Sequence, residues 1–437
     1  LPDRLTLKGI LDDRLLLRLG RDWTPADQTT PFRAGDLLAI PLHELLSQQT
    51  VSTPELLYRP GRQESVRTVR AVGAAVYVEL LKNYRSELIE ISQASDGWQV
   101  RELAVEGDRF ISLLGSAEQG LILRIQGLLE PGILVLIDPE TGERRTLYER
   151  SSAFPTDDLV ARILETKSRD GTAISYTIMH RRDLDADGSN PTLVYGYGGF
   201  DVSITPRYEP VFGKLWLEKG GVYVHAYLRG GGENGPDWHS SAMLKNRQQP
   251  YDDMIAIVED LHRRGISSPE TTGIMGRSNG GLMVAAVMMQ RPELLGAVVV
   301  GGPLIDMLTY HLIPPGASWT AEYGDPRNEE MFEFIETYSP LQQIKSGTSY
   351  PIPLIITSTD DDRVLPGHAR RFAAALSDAG HENFYFEDEQ GGHYWELAGG
   401  PAPGDWRLRS VARAVEFAYL SEMLFGPRAS RATEASD

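Results

Sequence analysis

The feature that most constrains this chain of 437 residues is a change of rhythm partway along it. Up to about residue 150, apolar residues come in short runs separated by turn residues, with little helical periodicity. Candidate strands are Arg14 to Leu19, Asp36 to Pro41, Ala74 to Leu80, Glu87 to Ser92, Phe110 to Leu114, Leu121 to Gln126 and Ile133 to Asp138. Pro139-Glu140-Thr141-Gly142 reads as a turn into a further strand, Arg144 to Tyr148. Short strands at near-regular spacing suggest a sandwich, a barrel or a propeller, and no repeat signature chooses among them. Roughly three blades of ~40 to 50 residues would fill the stretch, whereas a closed propeller needs at least ~4. On that reading the chain is expected to be truncated, or completed by a separate N-terminal chain or fragment. The helix-like run Ile40 to Gln48 and the polar Gln49 to Ser52 read as an insertion between strands.

Around Ser151 to Asp158 the strand rhythm lapses, and Pro155 with paired aspartates marks a linker between residues 1–155 and 156–437. Leu164 to Ser168 and Ala173 to Met179 flank Asp170-Gly171, the pattern of a hairpin with a type I′ turn. Asp183 to Gly188 mimics the start of a calcium loop. Its twelfth position is Val194, where a chelating Glu is needed, so it reads as a solvated loop. From Thr192 onward strands alternate with helices. The strands are Leu193 to Tyr195, Val222 to Tyr227, Thr272 to Met275, Ala297 to Val300, Leu354 to Ser358 and Asn383 to Phe386. The helices are Met254 to Arg263, Leu282 to Gln290, His368 to Ala379 and Leu408 to Leu424. Apolar strands alternating with amphipathic helices imply a mainly parallel sheet covered on both faces.

Within that region Gly276-Arg277-Ser278-Asn279-Gly280-Gly281 lies between a strand and a helix. A Gly-x-Ser-x-Gly there reads as a nucleophile elbow, a strained turn that lifts a serine hydroxyl clear of the sheet. A serine hydroxyl at its free pKa needs an adjacent base. Two later strands end in suitable partners: Asp360-Asp361-Asp362 after the first, Gln390-Gly391-Gly392-His393 after the second. The order Ser278, Asp361, His393 is that of an α/β-hydrolase triad, and each residue follows a strand end, where open α/β sheets place their sites. Tyr195 to Phe200 follows the first core strand, where such an enzyme draws its oxyanion donors. Tyr197 and the backbone N–H of Asn279 fit that role; a packed aromatic turn fits the Tyr195 to Phe200 run equally well.

Composition narrows the partners. A net charge of −18 argues against nucleic-acid binding through phosphates. The absence of cysteine removes disulfides, thiolate metal sites and a cysteine nucleophile, and no metal or other cofactor is expected. No apolar run reaches the ~18 to 20 residues of a transmembrane helix, so no membrane partner is expected. A cytoplasmic setting fits, while the start at Leu1 leaves periplasmic or secreted ones open.

Several blocks then coincide with one family. They are Tyr195-Gly-Tyr-Gly-Gly-Phe-Asp-Val-Ser-Ile-Thr-Pro206, Arg229-Gly-Gly-Gly-Glu-Asn-Gly-Pro-Asp-Trp-His239, Gly276 to Gly281, Trp319-Thr-Ala-Glu-Tyr-Gly-Asp-Pro326, Tyr338-Ser-Pro340 and Asp361-Asp-Arg-Val364. In this order they resemble the prolyl oligopeptidase family of serine peptidases. The resemblance implies an α/β-hydrolase catalytic domain capped by a seven-bladed propeller, of which residues 1 to about 155 are the last blades. It implies cleavage of short peptides on the carboxyl side of proline. Ser278 is then the nucleophile, His393 the general base, Asp361 its orienter, and Tyr197 with the Asn279 amide the oxyanion hole. It further implies that Trp319 packs on the substrate proline, with Phe200, Leu304, Tyr323 and Val364 lining the same apolar pocket. Arg363 then holds a peptide carbonyl, and the Asn279 side chain helps bind substrate.

Three departures stand out. Arg277 occupies the family's usual glycine position, which is expected to put a bulky cation beside the nucleophile. Asn234 replaces a common aromatic, and Tyr394-Trp395-Glu396 replaces small residues after His393. A related oligopeptidase of basic preference, an esterase and a peptide macrocyclase share the triad; a catalytically silent interaction protein shares only the fold.

Overall fold

The computed structural model describes residues 1–25, 28–47, 54–95, 97–104, 109–117, 120–389, 391–393 and 406–426. The chain divides into two units, each packed on itself. One is Leu1–Ala153 with Thr205–Glu209 and Gly232–Ser240; the other is Phe154–Ile204, Pro210–Gly231 and Ser241–Asp437.

The first unit is built from twelve strands among its described residues. They are β1 (Leu5–Leu11), β2 (Arg14–Leu19), β3 (Leu37–Pro41), then helix α1 (Leu42–Ser47), β4 (Glu55–Tyr58), β5 (Glu64–Val72) and β6 (Ala75–Lys82). There follow β7 (Arg85–Ala94), β8 (Gly97–Glu102), β9 (Phe110–Ala117), β10 (Gly120–Gln126), β11 (Ile133–Ile137) and β12 (Arg144–Glu149). They form three four-stranded antiparallel meanders, β1-β2-β3-β4, β5-β6-β7-β8 and β12-β11-β10-β9. The period of two along a strand decides which meanders pack together. Along β6, Val76, Val78 and Leu80 join Leu11, Leu16 and Leu37 of the first meander. The intervening Tyr77 joins Ile111, Leu123 and Val135 of the third. The middle sheet is therefore apolar on both faces. Strands β1, β4, β5 and β8 escape a pattern-based reading. β8 is exposed at five of its six residues, and β5 carries Glu64, Arg67 and Arg70. Of the expected helix from Ile40, Leu42–Ser47 is helical; Gln48 to Ser52 lie outside the described residues.

The second unit opens with β13 (Leu159–Lys167), β14 (Ala173–Arg181), β15 (Thr192–Tyr195), α2 (Pro210–Leu215) and β16 (Val222–Ala226). A short helix, α3 (Pro236–Ser240), belongs to the first unit. Then come α4 (Gln249–Arg263), β17 (Thr272–Arg277), α5 (Asn279–Gln290), β18 (Ala297–Gly301), α6 (Thr320–Tyr323) and α7 (Glu329–Glu336). The last are β19 (Leu354–Ser358), α8 (Gly367–Asp378), β20 (Phe384–Asp388) and α9 (Trp406–Leu424). The eight strands run β13-β14-β16-β15-β17-β18-β19-β20. β13 to β14 and β14 to β16 are antiparallel, and every later pairing is parallel. The apolar character of the central strands fits this order: β16, β17, β18 and β19 are buried at every residue, the mark of strands covered on both faces. Helix α5 is buried from Asn279 to Met289 and so lacks a polar face, as befits a helix at the centre of the unit.

The hairpin between β13 and β14 differs from the expected type I′ turn. Ser168 N–H donates to Thr172 O at 2.8 Å and Gly171 N–H to Ser168 O at 2.9 Å, and Gly171 has φ 87° while Asp170 keeps a negative φ. This is a three-residue loop with one left-handed glycine; a type I′ turn needs positive φ at both central residues. Among the described residues no helix is long and apolar enough to cross a membrane.

Candidate active site

The site is assembled at the carboxyl ends of the parallel strands. Ser278 sits between β17 and α5 with φ 56° and ψ −118°, a conformation costly for a residue with a Cβ. Its N–H is tied to Gly301 O at 2.8 Å. The surrounding glycines are enforced by contact. A Cβ on Gly276 would run into the carbonyl of Gly280, one on Gly280 would lie 2.7 Å from Gly196 O, and one on Gly281 2.7 Å from Gly301 O. So the helix starts tight against the Tyr195 to Phe200 segment, and the serine is pushed outward, half-buried.

Of three consecutive aspartates after β19, Asp360 and Asp362 are exposed and Asp361 alone is buried. Its Oδ1 accepts the backbone N–H groups of Arg363 at 3.0 Å and Val364 at 2.8 Å, which fixes the carboxylate in the loop. Its Oδ2 lies 2.8 Å from Nδ1 of His393. A carboxylate can only accept, so Nδ1 carries the proton and the neutral ring presents a lone pair at Nε2. The Ser358 hydroxyl donates to Gly391 O and clamps the glycine loop that carries His393. Gln390 and Tyr394-Trp395-Glu396 lie outside the described residues.

Tyr197 is half-buried, and its carbonyl accepts the Asn279 side-chain amide at 2.6 Å. Asn279 is the first residue of α5, so its N–H has no intrahelical acceptor. The Asn279 side chain corrects an expectation. It is fully buried, its Oδ1 taking the Tyr323 hydroxyl at 2.8 Å and an Arg247 N–H, so its polar atoms are spent inside the protein and do not reach a substrate.

Phe200, Trp319 and Tyr323 are brought together. The Phe200 ring stands edge-on to Trp319 at 6.5 Å and to Tyr323 at 5.5 Å, with interplanar angles of 79°. Phe200 holds φ 56°, anomalous for a bulky residue, while its N–H donates to Glu322 Oε1 at 2.9 Å. Leu304 and Val364 are buried in the loops after β18 and β19. Arg363 is exposed.

Residues 212–419 match the model of the prolyl oligopeptidase family. An uncharacterized peptidase of Sinorhizobium fredii is 38% identical over 426 residues, 97% of this chain and 58% of its own length. The chain belongs to the prolyl oligopeptidase family. A prolyl endopeptidase of Elizabethkingia meningoseptica is 35% identical over 284 residues, 64% of this chain and 40% of its own length. The structure of a post-proline cleaving enzyme from Rickettsia typhi superposes with TM-score 0.89 at 29% identity, covering 97% of this chain and 61% of that one. The chain thus spans 40% to 61% of the length of these relatives. The two units are the α/β-hydrolase domain and three blades of the β-propeller of this family of serine peptidases.

This family member carries several site-supporting residues whose buried roles sequence patterns did not announce. Arg247 is fully buried; it donates to Glu322 Oε1 at 3.1 Å and to Asn279 Oδ1, and its guanidinium lies 4.8 Å from the Tyr323 ring centroid. His368 at the start of α8 accepts the N–H groups of Ile305 at 3.1 Å and Asp306 at 3.2 Å on Nδ1. It ties the loop of Leu304 to the element that follows Val364. Burial pushes its pKa down from 6.5 to about 4, reinforced by Arg371 and opposed by Asp306, so the ring is held neutral. Arg229 is buried, with its guanidinium on Asp253, Asp170 and Ser168. A Cβ on the adjacent Gly230 would lie 2.7 Å from Gly198 O, which is why the Arg229 block needs glycine. Glu322 lies within the Trp319 to Pro326 block, but Arg247, Arg229 and His368 give no local pattern that marks them as buried.

Two of the departures lie among the described residues, and the first differs from expectation. Arg277 is not a cation beside the nucleophile: its side chain is buried and paired with Glu416 of α9. Asn234 donates to the Tyr84 hydroxyl at 2.8 Å.

Proposed function

We propose that this protein is a serine peptidase that cleaves short peptides on the carboxyl side of proline. In this reading the Ser278 hydroxyl attacks the scissile carbonyl carbon while His393 Nε2 takes its proton. The tetrahedral oxyanion accepts hydrogen bonds from the Tyr197 phenol and the Asn279 N–H. The carbon–nitrogen bond then breaks as His393 returns the proton to the leaving amine. Water, deprotonated by the same imidazole, hydrolyses the acyl ester. Asp361 keeps the proton on Nδ1 and stabilises the imidazolium. The observation that carries this reading is the 2.8 Å Asp361–His393 hydrogen bond, formed past the ends of β19 and β20 as the Ser278 turn at φ 56° is formed at the end of β17.

The preference for proline rests on Phe200, Trp319 and Tyr323, whose aromatic faces suit a flat pyrrolidine ring. A basic side chain would need a free carboxylate. Glu322, beside this cluster, is already engaged by Arg247 and the Phe200 N–H. Arg363 is assigned to a peptide carbonyl upstream of the cleaved bond, and Leu304 and Val364 to the apolar wall. The same reading makes residues 1–155 carboxyl-terminal propeller blades and 156–437 the catalytic domain.

Two measurements test it. A fluorophosphonate should label the protein once, on Ser278, and a protein left unlabelled would end the serine-nucleophile assignment. Among chromogenic peptides with proline, arginine or phenylalanine before the cleaved bond, the proline peptide should have the highest kcat/KM; a clear win for arginine refutes the pocket.

A further inference from the structure

Arg277 is the last residue of β17 and directly precedes Ser278, yet its guanidinium leads away into the interior. Its side chain packs on Gly301 of β18, where a Cβ would lie 2.9 Å from both Cγ and Nη1 of Arg277. Beyond that glycine it donates to Glu416 Oε1, 139 positions later in the middle of α9. Glu416 is completely buried, and its second oxygen accepts Arg413 at 2.7 Å. The Arg413 guanidinium in turn lies 5.5 Å from the Phe212 ring centroid. The same helix is sewn to the sheet by Tyr419, which accepts Val298 N–H at 2.9 Å and donates to Ile352 O at 2.7 Å.

Helix α9 is also the next described element after His393. The next described element after the proposed base is therefore the helix that grips the residue before the proposed nucleophile. The proposed nucleophile and base follow β17 and β20, strands separated by β18 and β19. A buried charge pair is a directional tie: taking Arg277 and Glu416 out of water is repaid only when their geometry is held.

We propose that Arg277 and Glu416 are positioning residues, an internal strut that fixes the nucleophile elbow against helix α9. This rests on the reading of Ser278 as nucleophile given above. The strut has a built-in control. Because Glu416 holds two arginines, removing Arg277 leaves Glu416 and Arg413 as a neutral pair, so Arg277→Met deletes the tie to the elbow without stranding a buried charge.

The test uses the full-length protein and reads the rate of fluorophosphonate acylation at Ser278, kcat and KM for the proline peptide, and the melting temperature. Arg277→Met is expected to slow acylation and lower kcat about tenfold, with KM within about twofold of the parent. Arg277→Lys keeps a cation but loses the planar fork, and is expected to slow both about threefold. Should the methionine variant fail to fold, the lysine variant carries the test alone. Unchanged acylation in the variant that folds overturns the strut, as does a loss that appears in KM instead of kcat or that vanishes well below the melting transition. A parent protein that does not label overturns the nucleophile assignment and the strut with it, whereas a labelled parent beside an unaffected variant overturns the strut alone.

Discussion

Ser278 has a neighbour on each side, and the two lead into different buried polar clusters. Asn279 turns toward Arg247, Tyr323 and the Tyr197 carbonyl, and through Arg247 to Glu322 and the Phe200 N–H. Arg277 turns the other way, to Glu416 and Arg413. Both clusters centre on a fully buried arginine or glutamate. The first is woven into aromatic residues assigned to the substrate pocket; the second joins the end of β17 to helix α9. The contrast separates two jobs that one active site requires, shaping what binds and fixing where the nucleophile stands. It also assigns opposite charge balances. Arg247 faces one carboxylate, while Glu416 faces two guanidiniums, so the loss of a single partner is far more costly on the Asn279 side.

The largest expected effect concerns what both clusters serve. Asp361→Asn should leave the fold intact and lower kcat on the order of 10⁴-fold, because an amide facing Nδ1 selects the wrong imidazole tautomer. A loss below about tenfold would remove Asp361 from the triad. Next comes the Asn279 side itself. Glu322→Gln leaves Arg247 buried without a counter-charge and should destabilise folding by about 3 to 5 kcal/mol in urea titration. Arg277→Met should cost about 1 kcal/mol in the same assay, within the ordinary range for one substitution. Equal costs would abolish the distinction between the two clusters.

A neutral group sharpens the picture further. His368 has a folded pKa of about 4 against an ordinary value of 6.5. Between these values the unfolded chain binds a proton that the folded chain refuses. Stability is therefore fully present above pH 6.5 and falls as pH drops toward 4, by about 3 kcal/mol in all. His368→Gln, which still offers an acceptor to Ile305 and Asp306, should flatten that part of the profile; an unchanged slope would place the titration elsewhere. The last effect belongs to the aromatic cluster. Trp319→Ala should lower kcat/KM about tenfold for the proline peptide, the size of one aromatic contact, and leave arginine and phenylalanine peptides nearly unchanged. An equal loss for all three would deny Trp319 its contact with the ring.

Much of this architecture is local and therefore legible in one dimension. The run Thr272 to Gly281 already spells strand, tight turn and helix, because Gly276 answers the Gly280 backbone within the turn itself. The strand-end positions of Asp361 and His393 follow from the same alternation of apolar runs. Sequence alone thus determined the α/β layering, the three groups of short strands and the Ser278, Asp361, His393 order. Tertiary structure decided which of three adjacent aspartates is buried, where Asn279 spends its amide, and where Arg277 points. Those outcomes depend on partners 32, 32 and 139 positions away in sequence. The burial of a charge is decided by whether a counter-charge reaches it through the packed interior, and no local pattern of residue types encodes that encounter.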